Sequence, residues 1–211
     1  NTNYFIWDLL EEGHDLFCEG AQGPTLDIDY GAYPFVTSSN VVSGAVSTGA
    51  AIPPKHVRDV FGVMKSFITR VDTVGTFPTY DTSDVAEDII DRGKEFGTTT
   101  GRRRRFGWLD LVLCKNSTLL NGTTKLVLNK IDVFSGVKEI KLAVAYEFPD
   151  GTVTDKYPSN TQELRGAKPV YKIFSGWEED ISGVKNFEDL PVEAQEFVNF
   201  IEDFLGQPIV C

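Results

Sequence analysis

The chain has 211 residues, 41% of them hydrophobic and 12% aromatic, with a formal net charge of −11. That composition fits a globular protein and argues against general nucleic-acid binding, which needs a basic face. No apolar stretch approaches the ~20 residues that span a bilayer, so no membrane role is expected.

Residues 3–12 predict a helix, with Phe5, Ile6, Leu9 and Leu10 on one face and Gly13 as its stop. Residues 15–18 are a short strand candidate that runs into Glu19-Gly20-Ala21-Gln22-Gly23. From there to about Ala51 the chain is rich in Gly, Ser, Thr and Asn, and a loop of that length points to function. Pro53 and Pro54 suit the first turn of a helix carrying an apolar stripe of Val57, Val60, Met64, Phe67 and Ile68. Trp108, Leu109, Val112 and Leu113 predict a further helix, closed by Asn121-Gly122. Leu126-Val127-Leu128 suits a short strand of a parallel sheet. Residues 138–147 alternate as a half-exposed strand, and Pro149-Asp150-Gly151 turns it into a hairpin. Residues 156–190 predict loop with isolated short strands. Val192, Phe197, Val198, Ile201, Phe204 and Leu205 then form an amphipathic helix ended by Gly206. The expected fold is α/β, a mostly parallel central sheet flanked by helices with an antiparallel hairpin, as one domain over 1–211.

Cys18, Cys114 and Cys211 have no metal spacing and suit reduced thiols in the cytoplasm, Cys114 being a core residue rather than a nucleophile. His14 and His56 are expected at the surface, and two histidines exclude a multi-histidine metal site. The chain begins with Asn1, its only methionine is Met64, and it ends on the apolar run Pro208-Ile209-Val210-Cys211. Those ends suggest a segment of a longer protein.

Three constellations carry chemistry. Gly97-Thr98-Thr99-Thr100-Gly101 leads into Arg102-Arg103-Arg104-Arg105, four adjacent guanidinium groups in an acidic chain. Guanidinium forks bind carboxylates and phosphates bidentately, and threonine hydroxyls add neutral donors, which suits a small anionic ligand. A nuclear-localisation or RNA-binding patch, a docking patch, or a charged turn without a ligand are the alternatives. Asn129-Lys130-Ile131-Asp132 directly follows the strand at 126–128. This N-K-x-D arrangement suits guanine, because a carboxylate accepts from both N1–H and the exocyclic amine while the lysine stem covers the purine face. Adenine would leave that carboxylate unpaired. A strand-ending charged turn is the plainer reading. The third is Glu19-Gly20-Ala21-Gln22-Gly23, where Gln22 can donate to and accept from a purine edge, or can simply sit in a glycine turn. No G-x-x-x-x-G-K-S/T phosphate loop occurs in the chain.

Taken in order, these runs resemble the adenylosuccinate synthetase family. The likeness is carried by 19–23, Leu26-Asp27-Ile28-Asp29, Tyr33-Pro34-Phe35-Val36-Thr37-Ser38-Ser39-Asn40, Thr69-Arg70-Val71 and Phe77-Pro78-Thr79. It continues through Glu95 to Arg105, Gly107-Trp108-Leu109-Asp110, the N-K-x-D run, Val144-Ala145-Tyr146, Gly176-Trp177 and Pro208-Ile209. The resemblance implies a P-loop-NTPase-like α/β fold, incomplete here relative to the family. It also implies GTP-dependent joining of IMP and L-aspartate, with GTP as co-substrate, in a cytoplasmic homodimer. Gln22, Thr37, Val71 and Arg102 would contact IMP, Gln22 near O6. Thr98, Thr99, Thr100, Gly101, Arg102, Arg103 and Arg104 would form the aspartate loop. Arg104, Lys130, Ile131 and Asp132 would take GTP. The phosphate loop, the catalytic aspartate and histidine, and the Mg2+ ligands would lie upstream, so 1–211 alone is expected to be inactive, a nucleotide-binding module at most. Residues 72–76 depart from the family pattern by one apparent insertion.

Overall fold

The computed structural model describes residues 1–71, 75–97, 101–158, 160 and 162–210. Helix α1 (Thr2–Glu11) and the short α2 (Ala45–Gly49) precede strands β1 (Phe61–Lys65), β2 (Phe67–Arg70) and β3 (Tyr80–Asp81). Helix α3 (Asp84–Arg92), β4 (Arg105–Asp110), α4 (Leu111–Asn121) and β5 (Lys125–Asn129) follow. Strands β6 (Glu139–Glu147), β7 (Val153–Thr154) and β8 (Lys168–Ser175) and helix α5 (Val192–Leu205) complete the order.

The expected α/β class stands, as a mixture of parallel and antiparallel pairing. β1 pairs in parallel with β5, Met64 facing Leu128. β4 lies parallel to β6 through Leu109 and Leu142. Antiparallel β2 and β3 flank β4, while β7 and β8 flank β6, so antiparallel pairing extends well beyond the expected hairpin. Ile209 bridges Leu126 in parallel, which accounts for the apolar run there.

Four expectations are corrected. Residues 54–68 are not a helix: a 3-10 turn at Pro54–His56 gives way to β1 and β2. The physical reason is pairing that the local pattern does not show: β1 lies beside β5, with Gly62 opposite Leu126, and β2 lies beside β4. Trp108 and Leu109 belong to β4, and the helix starts only at Leu111, where the Asp110 carboxylate accepts from Leu113 N at 3.1 Å. Residues 15–18 form no strand, and Phe17 stays 86% exposed. In 156–190, β8 is a full eight-residue strand on β6 rather than an isolated piece.

Helix α1 forms as expected but buries none of its residues, Phe5 staying 63% exposed, whereas α5 keeps its periodicity. The α5 face of Ala194, Phe197, Val198, Ile201 and Leu205 is buried, and Gly206 ends the helix in the left-handed conformation. Phe134, fully buried, is the centre of the core, its ring 6.0 Å from Phe197, 6.1 Å from Trp108 and 6.2 Å from Phe67. Cys114 packs against this core, and burial pushes its thiol well above the ordinary range. His14 and His56 are exposed.

Candidate functional site

The N-K-x-D turn is built outward from Phe134. β5 ends at Asn129, whose carbonyl accepts from Ser66 N at 2.9 Å, and the Ser66 hydroxyl donates to Lys130 O at 2.7 Å. These bonds hold Lys130 at φ +63°, a left-handed conformation that reverses the chain at the carboxyl end of a parallel strand. Ile131 then packs on the core, and a 3-10 turn at Asp132–Phe134 buries Val133 and Phe134 while leaving Asp132 exposed. A carboxylate is thus presented outward on a turn anchored by the aromatic centre. That arrangement can accept paired N–H donors.

The Lys130 side chain turns sideways. Its ammonium donates to Gly93 O at 2.5 Å and to Glu95 Oε1 at 2.8 Å. Glu95 is 2% exposed and also takes Lys65 Nζ and Arg104 Nη1 on Oε2, each at 2.9 Å. Burial alone would raise its carboxyl, but the bonds from Lys130 and Lys65 outweigh it and hold Glu95 below the ordinary value. Lys65 is pushed down by burial, with Glu95 opposing the shift and Arg104 and Lys130 adding to it. One carboxylate therefore gathers three cations.

The base of the arginine loop is a small antiparallel ladder. Arg104 N donates to Glu95 O at 2.9 Å, Gly97 N donates to Arg102 O at 2.7 Å, and Phe96 bridges Arg103. Arg103 turns onto α3, pairing with Asp91 at 2.5 Å and Glu87 at 2.6 Å, with its guanidinium over the Phe96 ring. Ser83 caps α3, and Ala86, Ile89 and Ile90 bury one of its faces, so its outward acids are fixed for Arg103. Arg104 Nε is buried without a hydrogen-bond partner. Thr98, Thr99 and Thr100, and residues 72–74 of the departing segment, lie outside the described residues.

Gln22 and Thr37 stand on a different framework. Asp27 is fully buried, and its carboxylate accepts from the backbone N–H groups of Asp29, Tyr30, Val41 and Val42 at 2.6 to 3.3 Å. Burial works against ionisation there, but the four N–H bonds win and bring Asp27 down to about 2. This carboxylate closes the loop that carries Thr37, whose own N donates to Leu26 O at 2.8 Å. Gln22 is exposed at φ +61°, just before the 3-10 turn at Pro24–Leu26. Val71 is 43% exposed beside Arg70, which donates to Thr76 O at 3.3 Å.

The structure thus draws Lys130 and Arg104 onto one carboxylate, keeps Asp132 on the same turn, and mounts Gln22 and Thr37 on a separate loop. The sequence reading missed Glu95 and Asp27 as organisers. Each was legible only as an acid inside a run of interest, because their partners are scattered along the chain. Among the described residues, no group of three or more His, Cys, Asp or Glu side chains could hold a metal ion.

The family model for adenylosuccinate synthetase matches residues 1–211. The adenylosuccinate synthetase of Halothermothrix orenii is 44% identical over 209 residues, 99% of this chain and 48% of its own length. That of Kluyveromyces lactis is 46% identical over 205 residues, 97% of this chain and 47% of its own. The solved structure of fully ligated adenylosuccinate synthetase from Plasmodium falciparum superposes with a TM-score of 0.95 at 39% identity, covering 99% of this chain and 50% of that one. The chain spans about half the length of the relatives it matches. On a match that runs its whole length, in sequence and in fold, the chain belongs to the adenylosuccinate synthetase family.

Proposed function

We propose that the complete protein joins IMP to L-aspartate at the expense of GTP, as a cytoplasmic homodimer in purine biosynthesis. IMP O6 attacks the γ-phosphate, releasing GDP and giving 6-phosphoryl-IMP. The aspartate amine then adds at C6, and phosphate leaves. Magnesium belongs to ligands outside the described residues, and no step assigned to this chain runs through it.

The chain's own part is binding and positioning. Asp132 accepts the two guanine donors, with Lys130 and Ile131 bordering the base. Arg104 faces the GTP side. Thr98, Thr99, Thr100, Gly101 and Arg102 hold aspartate, and Arg103 fixes the loop base on α3. Gln22 steadies the purine near O6, Thr37 takes the IMP phosphate, and the Val71 backbone and Arg102 reach the ribose. Such fixed charges and donors are the main protein contribution in phosphoryl transfer. The observation that carries this reading is the outward Asp132 carboxylate on a turn whose lysine shares Glu95 with the arginine loop.

Asp132→Asn in the complete protein should abolish the preference for GTP, since one acceptor becomes a donor facing guanine donors. Rates of adenylosuccinate formation with GTP, ATP and ITP test this, and an unchanged preference for GTP would overturn the guanine assignment. Residues 1–211 alone contain no phosphate loop and should not turn over. Adenylosuccinate formed by the purified 211-residue chain would refute that.

A further inference from the structure

The roles above leave Glu95 unused, yet it is the most heavily paired acid among the described residues. Backbone N–H groups suffice at Asp27, and one good cationic partner is enough for a buried carboxylate to be tolerated. Glu95 has three, and they come from three different places: Lys65 at the end of β1, Lys130 after β5, and Arg104 at the base of the arginine loop. The cluster of three cations and one carboxylate keeps a net positive charge of two, so neutralising Glu95 does not explain it. Its geometry is divided: Oε1 serves Lys130, Oε2 serves Arg104 and Lys65.

The backbone of Glu95 is committed as well. Its N donates to Ile90 O at the end of α3, and its carbonyl accepts from Arg104 N, both at 2.9 Å. Lys130 is tied a second time to this segment through Gly93 O. The carboxylate therefore cannot shift without moving the loop base and the lysine of the guanine turn together. Thr37, on the loop that Asp27 closes, and Gln22 before it do not share these bonds.

We propose that Glu95 is a positioning residue that couples the guanine turn to the aspartate loop, one carboxylate oxygen setting Lys130 and the other setting Arg104. The proposal rests on the ligase reading above. It makes GTP and aspartate affinities interdependent, and it reaches IMP only through Arg102 on the same loop.

The test is initial-rate kinetics of the complete protein with each of the three substrates varied in turn. Glu95→Gln keeps the shape but replaces one oxygen by a donor that faces a cation. KM for GTP and KM for aspartate should each rise about ten-fold or more, as loss of a charge-assisted bond implies, while KM for IMP rises less, since Gln22 and Thr37 lie outside the link. Glu95→Asp should recover part of both. Equal changes in all three KM values, or a lower kcat with every KM unchanged, would overturn the proposal and leave Glu95 a structural brace. Lys130→Met supplies a second measurement should Glu95→Gln fold poorly. KM for aspartate should rise at least about three-fold at saturating GTP, although Lys130 belongs to the guanine turn, and an unaltered aspartate KM would refute the coupling. A wild-type protein that makes no adenylosuccinate would overturn the ligase reading itself, an outcome separate from any difference between variants.

Discussion

Two buried carboxylates stand at opposite ends of β4, and their surroundings push them in opposite directions. Glu95 precedes the strand at the arginine loop and is met by three cations. Asp110 ends the strand, caps α4 and meets only neutral donors, Tyr146 Oη at 2.5 Å and Leu113 N at 3.1 Å. Burial lifts Asp110 to about 6 against the lowering pull of those bonds. At Glu95, as little exposed but set less deep in the protein, burial loses to Lys130 and Lys65. Tyr146 is itself held protonated by burial and by the neighbouring Asp110 charge. Depth and partners together set the character of an acid here. The cation-rich hub lies at the base of the arginine loop, and the Asp110–Tyr146 pair lies where a strand hands over to a helix.

The largest expected effect comes from emptying the charged hub. Glu95→Leu strands three cations and should cost about 3 kcal/mol, measured by denaturant unfolding of the complete protein. The low end of the range for broken buried pairs applies, because Lys65, Arg104 and Lys130 keep 25%, 29% and 37% exposure and can partly rehydrate. A loss under about 1 kcal/mol would put Glu95 with surface pairs and erase the contrast with Asp110.

Acid and base should then separate the two sites. Asp110 has a folded-state value near 6 and an ordinary value of 3.8, so between them the folded state holds the extra proton. Its contribution is full below about 4 and is lost as pH rises through about 6, on the order of 2–3 kcal/mol in all. Glu95 is depressed, so its contribution is present above the ordinary 4.5 and is lost as pH falls through its folded-state value. Asp110→Asn should flatten the stability profile between pH 4 and 7, while Glu95→Leu should leave that slope in place. Parallel profiles for wild type and Asp110→Asn would contradict the assignment.

A third buried acid refines the rule. Asp27 is held by backbone N–H groups rather than by cations, and Asp27→Asn turns part of a pure acceptor into a donor facing donors. A stability loss of about 1–3 kcal/mol is expected, together with a higher KM for IMP, since the loop carrying Thr37 closes on that carboxylate. Aspartate and GTP kinetics should be unmoved, the reverse of the Glu95→Gln pattern.

What the sequence disclosed follows from how local each feature is. The N-K-x-D run was legible because four adjacent residues form one turn, and α5 because its buried residues repeat at helical spacing within fourteen positions. Strands β1 and β2 were misread as helix because Val57, Val60, Met64, Phe67 and Ile68 also fit a helical stripe. The partner that settles the matter, β5, is about sixty residues downstream. Helix α3 went unread although Ser83-Asp84 and the spacing of Ala86, Ile89 and Ile90 were in view. In the sequence Glu95 is visible only as the start of the run that leads to the arginines. Its role depends on Lys65 and Lys130, 30 and 35 residues away, which local pattern cannot reach.

The arginine run repeats the contrast at its smallest scale. Arg103 and Arg104 are adjacent and identical, yet Arg103 pairs with exposed acids on α3 while Arg104 meets buried Glu95. Exposed pairs lie in high dielectric, are screened by salt, and immobilise two flexible side chains, so their net worth is small. Arg103→Gln should leave the unfolding midpoint unchanged within error, and any loss seen at low salt should vanish as salt is raised. Arg104→Gln should lower the midpoint at every salt concentration, because it removes one cation from a carboxylate shielded from water. Equal, salt-sensitive losses at both positions would mean that Glu95 is reached by solvent and that the hub is an ordinary surface cluster.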